Sequence, residues 1–492
     1  MSDNGVLKTI IIFGASGDLT RRKLIPSLFN LCRKDRIPQP YKIVGSGGTE
    51  YTDQQFRAHL LEGAREFAGF TFTEPEWASF SQHLFYKHAN YTDPDEFIEL
   101  EKHLTMLEGG PANRLYYMAI PPKLFPVVIE NLSRTGQLEE VQGWRRVVLE
   151  KPFGIDLASA KELNSQVHHS LNEQQIYRID HYLGKETVQN ILFTRFANTI
   201  FEPIWNRNYV DHVEITVSEQ VGLEHRAGFY DGVGVLRDVV QNHLLQLLTL
   251  VAMEPPASFF ANHLRNEKVK VLSAIQPMTP EQVNTNTVRA QYRGYRQEPQ
   301  VKPNSNTATY AALRLYINNW RWKGVPFYLR SGKCLAQKQS QIIIQFKEPP
   351  LAMFPMQTMK PNMLVLYLQP DEGIHLRFEA KAPDTVSETR SVDMEFHYAQ
   401  AFGPTSIPEA YERLLLDALQ GDASLFTRAD EVEAAWGLID PILQTWEQHQ
   451  SPPLAFYRPG SWGPHEADIL ISRDGRHWLH EETHTMVEDR SD

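Results

Sequence analysis

Short apolar runs alternate with helix-like repeats over about the first 190 residues of the chain. The runs are rich in β-branched and aromatic residues and are bounded by turn residues, which is typical of buried strands. They are Lys8–Phe13, Tyr41–Gly47, Arg114–Pro122 and Arg145–Gly154. Between them, apolar residues recur at helical spacing, for example in Gln54–Gly63 and Asp95–Leu107. This alternation predicts a parallel sheet, with ligands at the carboxyl ends of its strands.

The pattern changes after about residue 190. Val210–Gly222 alternates apolar and polar residues, like a strand with one solvated face. Further predicted strands are two within Thr307–Lys333, then Gln341–Lys347, Asn362–Pro370 and Gly373–Lys381. Helical patterns cover Leu236–Met253, Pro408–Leu419 and Arg428–Gln448. Because no strand–helix–strand spacing links these strands, they predict a large, mostly antiparallel sheet.

The two patterns predict two domains, and 492 residues are too many for one hydrophobic core. We expect an α/β Rossmann-type dinucleotide-binding domain at residues 1–190. An α+β domain with the large sheet is expected at residues 191–492, for substrate binding and dimerisation. The extended sheet offers a surface through which two copies of the chain could associate.

Composition narrows the classes of function. Hydrophobic residues make up 42% of the chain and charged residues 22%, which is ordinary for a globular protein. The net charge of -11 argues against general nucleic-acid binding. No apolar run is long enough to span a bilayer, and the first residues lack the features of a signal peptide. The two cysteines, Cys32 and Cys334, give no metal-binding spacing and suit a reducing cytoplasm, which is the expected location.

A glycine turn follows the first predicted strand, in the stretch GASGDLTRRKL that begins at Gly14. Gly14 and Gly17 allow a tight turn, and apolar residues then recur at Leu24, Leu28 and Leu31. Strand, glycine turn and helix together hold a dinucleotide pyrophosphate on backbone N–H groups at a helix N-terminus. The pattern is not a full GxGxxG, so a purely structural turn is the alternative.

The stretch DHYLGK gathers an acid, a histidine, a tyrosine and a lysine into six residues. If the chain turns helical near Asp180, His181 and Lys185 lie four residues apart on one helix face. Two cationic groups side by side favour a doubly charged anion, such as a phosphate monoester. The alternative is a solvated helix start with Asp180 as its cap.

The segment Leu236–Met253 is apolar on nearly every side, so it predicts a buried helix. It nevertheless carries Arg237, Asp238, Gln241, Asn242 and His243. Buried polar groups need partners, and a hydrogen-bonded core histidine is the ordinary explanation for His243. If Asp180 accepts a hydrogen bond from one ring nitrogen, the other nitrogen can take a proton from a hydroxyl group. That arrangement is a His–Asp general base.

Five motifs occur in a fixed order: GASGDLTRRKL, EKPFG, RIDHYLGKE, RDVVQNHLLQLL and RWKGVPFYLRSGK. Together they closely resemble the glucose-6-phosphate dehydrogenase family, over about Ile11 to Leu470. RIDHYLGKE is highly specific, whereas EKP also occurs in other sugar oxidoreductases with Rossmann domains. The resemblance implies oxidation of glucose 6-phosphate at C1 to the 6-phosphogluconolactone, with hydride transfer to NADP, as in the oxidative pentose phosphate pathway. It also implies a homodimer or homotetramer.

The resemblance assigns roles to residues of the matching motifs. His243 corresponds to the general base, and Asp180 to the residue that orients it. Substrate-binding positions are His181, Tyr182, Lys185, Glu219, Asp238, Lys333, Lys338 and Lys151. Cofactor-binding positions are Gly14, Ala15, Ser16, Gly17, Asp18, Leu19, Arg21, Thr49, Lys151 and Pro152. No metal is expected, because the nicotinamide ring is itself the electrophile.

One stretch departs from the family pattern. The family usually carries an arginine after the second strand that pairs with the 2′-phosphate of NADP, and Gly48 occupies that place here. Arg21 with Thr49, helped by Arg22, is the expected substitute. Glu50 is a carboxylate of the kind that favours a bare ribose, so NAD is the alternative cofactor.

Two other functions are alternatives to this one. A sugar oxidoreductase that shares only the Rossmann domain and EKP would not need RIDHYLGKE. A catalytically silent sugar-phosphate sensor on the same scaffold predicts damage to the base or its partner. Asp180 and His243 are both intact, which disfavours the sensor.

Overall fold

The computed structural model describes residues 5–223, 226–351, 353, 360–403 and 407–479. These residues form two compact units. The first unit takes residues up to 197 together with segments 249–273 and 407–440, and the second takes the rest. The predicted division at residue 190 into a cofactor domain and a substrate domain stays a prediction.

The first unit contains a seven-stranded sheet. Its strands are β1 (Leu7–Phe13), β2 (Tyr41–Gly47), β3 (Leu84–His88), β4 (Ala112–Met118), β5 (Arg145–Leu149), β6 (Ile176–Ile179) and, fifteenth along the chain, β15 (Phe426–Thr427). Their spatial order is β15-β6-β5-β4-β1-β2-β3, and only the pair β15–β6 is antiparallel. The predicted parallel sheet is confirmed.

The strands of this sheet are buried on both faces, as expected when helices cover a parallel sheet. Six of the seven residues of β1 are buried, and all seven of β4. The ring of Phe13 lies 6.1 Å from that of Phe97 and 6.4 Å from that of Tyr116, between ring centroids. These rings form part of the apolar core beneath the strand ends.

The helices of both units, in chain order, are α1 (Ile25–Arg33), α2 (Asp53–Phe67), α3 (Glu74–Ser81), α4 (Pro94–Glu108), α5 (Phe125–Arg134), α6 (Leu157–His168), α7 (Glu186–Phe196), α8 (Ala227–Tyr230), α9 (Leu245–Ala252), α10 (Ala261–Ala274), α11 (Pro280–Asn286), α12 (Tyr398–Phe402), α13 (Ala410–Gln420), α14 (Ala429–Gln448) and α15 (His465–Ser472). Two π-helical segments, Thr20–Leu24 and Leu236–Leu244, lead directly into α1 and α9. In the described part of the chain, no helix combines the length and apolar character needed to cross a membrane.

The second unit contains a nine-stranded sheet. Its strands are β7 (Val210–Ser218), β8 (Thr287–Tyr292), β9 (Tyr310–Tyr316), β10 (Pro326–Gly332), β11 (Gln339–Phe346), β12 (Met363–Gln369), β13 (Gly373–Lys381), β14 (Thr389–His397) and β16 (Ala455–Tyr457). Their spatial order is β14-β13-β12-β11-β7-β10-β9-β8-β16. The pairs β7–β10 and β8–β16 are parallel and the others antiparallel, which confirms a large, mostly antiparallel sheet.

The prediction that β7 has one solvated face is wrong. Its polar residues His212, Glu214, Thr216 and Ser218 are all at most 3% exposed. They are satisfied by protein groups instead of water: the guanidinium Nε of Arg330 donates to Thr216 at 2.9 Å, for example. Side chains on both faces of β7 are buried, so both faces are covered, and its polar alternation reflects a buried polar network.

Candidate active site

The glycine turn after β1 is held so closely that a side chain would not fit. Gly14 has φ +83°, and a Cβ there would lie 2.1 Å from the carbonyl oxygen of Ala119. The N–H groups of Gly14 and Ala15 donate to the carbonyl of Ser46 at the end of β2, each at 3.0 Å. The turn is therefore anchored between the ends of three neighbouring strands, where a Rossmann fold binds its dinucleotide.

Two tyrosines that the sequence analysis did not single out support this turn. The hydroxyl of Tyr91 donates to the carbonyl of Ser46 and accepts from the N–H of Gly14, both at 2.7 Å. The hydroxyl of Tyr86 donates to the carbonyls of Gly47 and Thr49. Burial raises the pKa of Tyr86 to about 12, so it remains a neutral donor. No local pattern marks these tyrosines, because they approach the turn from elsewhere in the fold.

Thr49 and Arg21, which are predicted to bind the 2′-phosphate of the cofactor, have different partners. The hydroxyl of Thr49 donates to that of Ser16 at 3.1 Å, which brings two predicted cofactor residues together. The guanidinium of Arg21 pairs with Glu66 of α2 at 2.9 Å. Gly48 borders open space, since a Cβ there would meet no heavy atom within 4 Å. The place of the family arginine is thus sterically vacant.

The EKPFG motif directly follows β5. The Lys151–Pro152 peptide bond is cis. Lys151 is partly buried. The preceding Glu150 accepts a 2.5 Å hydrogen bond from the hydroxyl of Tyr117, on the neighbouring strand β4. Lys151, which is predicted to face the cofactor, lies at the carboxyl edge of the sheet. It directly follows Glu150, whose side chain is held by this hydrogen bond.

The DHYLGK stretch is a turn rather than a helix start, which corrects one expectation. Residues 181–184 are turns, and α7 begins only at Glu186, with Lys185 in extended conformation just before it. The N–H of Tyr182 donates to the side chain of Asp180 at 2.9 Å, and this local bond favours a turn over a helix. The expected helical face shared by His181 and Lys185 is therefore absent.

Side-chain contacts still gather the DHYLGK residues. The Nζ atom of Lys185 lies 3.5 Å from the ring centroid of Tyr182, in a cation–π contact. The rings of His181 and Tyr182 meet edge to face, with 5.3 Å between their centroids. Asp180 is only 3% exposed, whereas His181 and Lys185 are partly exposed. The side chains of His181 and Lys185 thus both lie against the ring of Tyr182.

His243 lies in the π-helical segment Leu236–Leu244 and is 3% exposed. The backbone N–H of His243 donates to the side-chain oxygen of Asn242 at 2.6 Å. The side-chain amide of Asn242 in turn donates to the carbonyl of Arg237 at 3.2 Å. The prediction of a buried helix is confirmed. Its π-helical geometry is a feature that frequently occurs at functional sites.

Three predicted substrate residues meet in the second unit. The ammonium of Lys333 contacts Glu219 at 2.5 Å and Asp238 at 3.2 Å. Glu219 and Lys333 directly follow the parallel strands β7 and β10, where Ser218 pairs with Gly332. We call these three residues the Lys333 cluster. Two carboxylates around one ammonium leave acceptor oxygens for hydroxyl groups of a ligand.

Two neighbours complete the description of the Lys333 cluster. Lys338 is exposed and lies between β10 and β11. Tyr230 was not singled out from the sequence, yet its ring centroid lies 5.5 Å from the ammonium of Lys333. Burial and the charges of Asp238 and Glu219 raise the pKa of Tyr230, so it is a neutral group beside the cluster.

Comparison with known proteins identifies this fold. Residues 11–190 match the family model described as glucose-6-phosphate dehydrogenase, NAD binding domain, and residues 192–479 match the model of its C-terminal domain. A glucose-6-phosphate 1-dehydrogenase of Aggregatibacter actinomycetemcomitans is 46% identical over 488 residues, which cover 95% of this chain and 96% of the relative.

Solved structures agree with these matches. A glucose-6-phosphate dehydrogenase in complex with its substrate glucose 6-phosphate has a TM-score of 0.90 and 35% identity, covering 96% of this chain and 98% of that one. A glucose-6-phosphate 1-dehydrogenase from Mycobacterium avium has a TM-score of 0.83 and 36% identity, covering 96% and 99% of the two chains.

The Rossmann-like sheet, its glycine turn and the matching NAD-binding domain define a nicotinamide-dinucleotide-dependent dehydrogenase. Within that class of oxidoreductases, the chain belongs to the glucose-6-phosphate dehydrogenase family, along nearly its whole length.

Proposed function

We propose that this chain oxidises D-glucose 6-phosphate at C1 to 6-phospho-D-glucono-1,5-lactone, with hydride transfer to NADP, in the oxidative pentose phosphate pathway. The observation that carries the proposal is the Lys333 cluster at the ends of two parallel strands. A polyhydroxylated ligand needs paired acceptors and donors at fixed positions, and the cluster supplies both. Family membership supports the same substrate.

The reaction removes a proton and a hydride from the same carbon–oxygen unit. His243 takes the proton of the C1 hydroxyl as the C1–H bond breaks and the C1=O bond forms. Asp180 orients the imidazole and stabilises its charged form. A bound nicotinamide ring supplies the hydride acceptor, so the protein contributes orientation, a base and anion binding.

The phosphate group is assigned to the DHYLGK turn. There Lys185 supplies positive charge, and His181 and Tyr182 supply hydrogen-bond donors. Glu219 and Asp238 accept from sugar hydroxyls, and Lys333 and Lys338 add donors. Lys151 lies between the sugar and the nicotinamide ring.

The dinucleotide is assigned to the glycine turn, Gly14 to Leu19, with Lys151 and Pro152 near the nicotinamide. The glycine turn, which hydrogen-bonds to Ser46 at the end of β2, lies where a Rossmann fold binds a pyrophosphate. Arg21 and Thr49 are proposed to hold the 2′-phosphate of NADP. NAD is the second candidate, favoured by the vacant Gly48 position and by the pairing of Arg21 with Glu66.

We further propose that the protein works as a homodimer or homotetramer in the cytoplasm. The predicted location depends on the low cysteine content, and the large sheet of the second unit supports association.

An initial-rate assay tests substrate and cofactor together. Glucose 6-phosphate is mixed with the enzyme and either NADP or NAD, and the absorbance of the reduced nicotinamide is followed. We expect turnover with glucose 6-phosphate and a higher kcat/KM with NADP. Absence of turnover with both cofactors would overturn the proposed activity, and a higher kcat/KM with NAD would overturn only the cofactor assignment.

A further inference from the structure

Glu150 is a carboxylate that the proposed reaction does not use. It lies between the last residue of β5, Leu149, and the lysine of EKPFG. The hydroxyl of Tyr117, which is fully buried in β4, donates to its Oε1 atom at 2.5 Å. The side chain of Tyr411, in α13, forms a second hydrogen bond with it. Two phenolic hydroxyls from distant parts of the sequence therefore hold one carboxylate.

The position of Tyr411 is constrained independently of this bond. A Cβ at Gly184 would lie 2.7 Å from the carbonyl oxygen of Ala410 and 2.9 Å from a side-chain carbon of Leu414. Only a glycine in the DHYLGK turn lets the first turn of α13 approach so closely. On the same helix, Glu412 pairs with Lys34, the residue directly after α1, at 2.9 Å. The helix that carries Tyr411 is thus fixed at two points.

The electrostatics of Glu150 depend on three neighbours. Burial raises its pKa, while hydrogen bonds from Tyr117 and Tyr411 lower it in part. The charge and a backbone hydrogen bond of Lys151 also lower it. The net pKa is above the ordinary value of a glutamate. The carboxylate of Glu150 and the ammonium of Lys151 attract each other, because opposite charges stabilise each other.

Tyr411 also lies near the acidic residues that follow β5 and β6. Burial raises its pKa most, followed by the adjacent charges of Glu150, Asp180 and Glu409. The parallel strands β5 and β6 pair Leu149 with Arg178, so Glu150–Lys151 and Asp180 leave the same edge of the sheet. The tyrosine therefore lies near both the acid behind Lys151 and the acid of DHYLGK.

We propose that Glu150 is a positioning residue for Lys151, and that the hydroxyls of Tyr117 and Tyr411 hold it for that task. This inference rests on the proposed function, in which Lys151 lies between sugar and nicotinamide. The three residues form one unit, the Glu150 clamp, which sets the direction of the lysine side chain and keeps a negative charge beside it. Small displacements of such a group lower turnover more than substrate binding.

The kinetic test uses Glu150→Gln, Tyr117→Phe and Tyr411→Phe. We expect Glu150→Gln to lower kcat by about 10- to 100-fold with the KM for glucose 6-phosphate near that of the wild type. Tyr411→Phe removes a bond that lowers the pKa of Glu150, so the acid limb of its kcat–pH profile should move to higher pH. Tyr117→Phe should move it in the same direction.

A double variant makes the pH readout specific. If the shift arises from Glu150, Tyr411→Phe should cause none in a Glu150→Gln background. Tyr116→Phe is the matched control, because Tyr116 is a buried tyrosine of the same strand whose hydroxyl donates to Gln137 instead. An unchanged kcat in Glu150→Gln, or a shift that persists in the double variant, would overturn the inference.

A measurement without turnover separates this inference from the proposed function. Lys151 is labelled with acetic anhydride at fixed pH, and its acetylation rate is read by peptide mass spectrometry. Glu150→Gln should change the labelling rate severalfold, since the side chain of Lys151 is then no longer held in one direction, whereas Tyr116→Phe should not. If wild type fails to oxidise glucose 6-phosphate but the labelling differs as expected, only the proposed function fails. Equal rates in Glu150→Gln and wild type would reject the clamp.

Discussion

Both units bring predicted site residues together at the ends of parallel strands, but in two different settings. In the first unit, β5 and β6 are parallel neighbours, and Lys151 and Asp180 follow two residues after the paired Leu149 and Arg178. In the second unit, β7 and β10 are parallel, and Glu219 and Lys333 follow directly after their last pair. Parallel neighbours end at one edge, so residues distant in sequence leave the sheet side by side.

The two settings differ in what surrounds the parallel pair. In the first unit parallel pairing is the rule, and such sheets bind ligands at the carboxyl edge. In the second unit β7–β10 is an exception within a mostly antiparallel sheet. A single parallel pair is therefore sufficient to bring Glu219 and Lys333 to one edge of the sheet.

The charge at the two edges also differs. The DHYLGK turn of the first unit displays His181 and Lys185, which suit an anion. The Lys333 cluster combines one ammonium with the carboxylates of Glu219 and Asp238, which suit hydroxyl groups. The contrast gives each edge a separate task in the proposed reaction, and the predictions below test that division, from the largest expected effect to the smallest.

Loss of the base should have the largest effect. Replacing His243 by alanine should lower kcat by about 10²- to 10⁴-fold, because a positioned general base typically contributes that much. The KM for glucose 6-phosphate should change little, since the phosphate and sugar contacts remain. Steady-state kinetics measure both constants, with His465→Ala as an exposed-histidine control. An unaltered kcat would remove His243 from this role.

Replacement of Lys185, in the first unit, and of Lys333, in the second, should impair the enzyme in different ways. Lys185→Met and Lys333→Met should each lower kcat/KM by about 10- to 100-fold, the equivalent of one charged hydrogen bond. For Lys185 we expect mainly a higher KM for glucose 6-phosphate. A KM near the wild-type value would count against the phosphate site.

Lys333→Met should in addition lower the unfolding temperature, because it leaves Glu219 and Asp238 without their shared cation. A loss of about 1 kcal/mol corresponds to about 2–4 °C for a protein part of this size. Differential scanning calorimetry of both variants measures it. Equal unfolding temperatures for the two lysine variants would show that the cluster adds no stability.

Filling the vacant position after β2 should have a moderate effect on cofactor choice. Gly48→Arg should raise the ratio of kcat/KM for NADP over NAD by about tenfold, since a guanidinium pairs well with a phosphate. Gly48→Ala is the control, because open space around Gly48 accepts a Cβ. A ratio that does not rise would mean that the cofactor ribose lies elsewhere.

The buried polar face of β7 should show a smaller, pH-dependent effect on stability. Burial disfavours the charged form of His212, but hydrogen bonds to Asp211 and Glu214, at 2.8 and 3.2 Å, outweigh it and raise the pKa of His212. A raised histidine pKa stabilises the folded state below the unfolded value of about 6.5, and this contribution is lost as pH rises through the folded pKa.

His212→Gln should therefore destabilise the protein more at about pH 6 than at about pH 9. Thermal or urea unfolding at the two pH values measures the difference in the free energy of unfolding. A loss of stability that is the same at both pH values would assign His212 a packing role only.

The sequence alone determined the elements and the motifs. β-branched runs and helical repeats located most strands and helices, because local burial patterns follow the periods of the backbone. The motifs RIDHYLGKE and RDVVQNHLLQLL pointed to Asp180 and His243, because an acid and a histidine are the residue types that a His–Asp general base requires. Their roles as base and partner stay predictions.

Only the tertiary structure decided which residues meet. The β7–β10 pair brings Glu219 beside Lys333, and no local pattern in either strand specifies its neighbour. The DHYLGK stretch is a turn, because the side chain of Asp180 accepts from the N–H of Tyr182. The contact between Tyr411 and Glu150 depends on how α13 packs. Such contacts join residues far apart in the chain, and their geometry is set by packing rather than by periodicity.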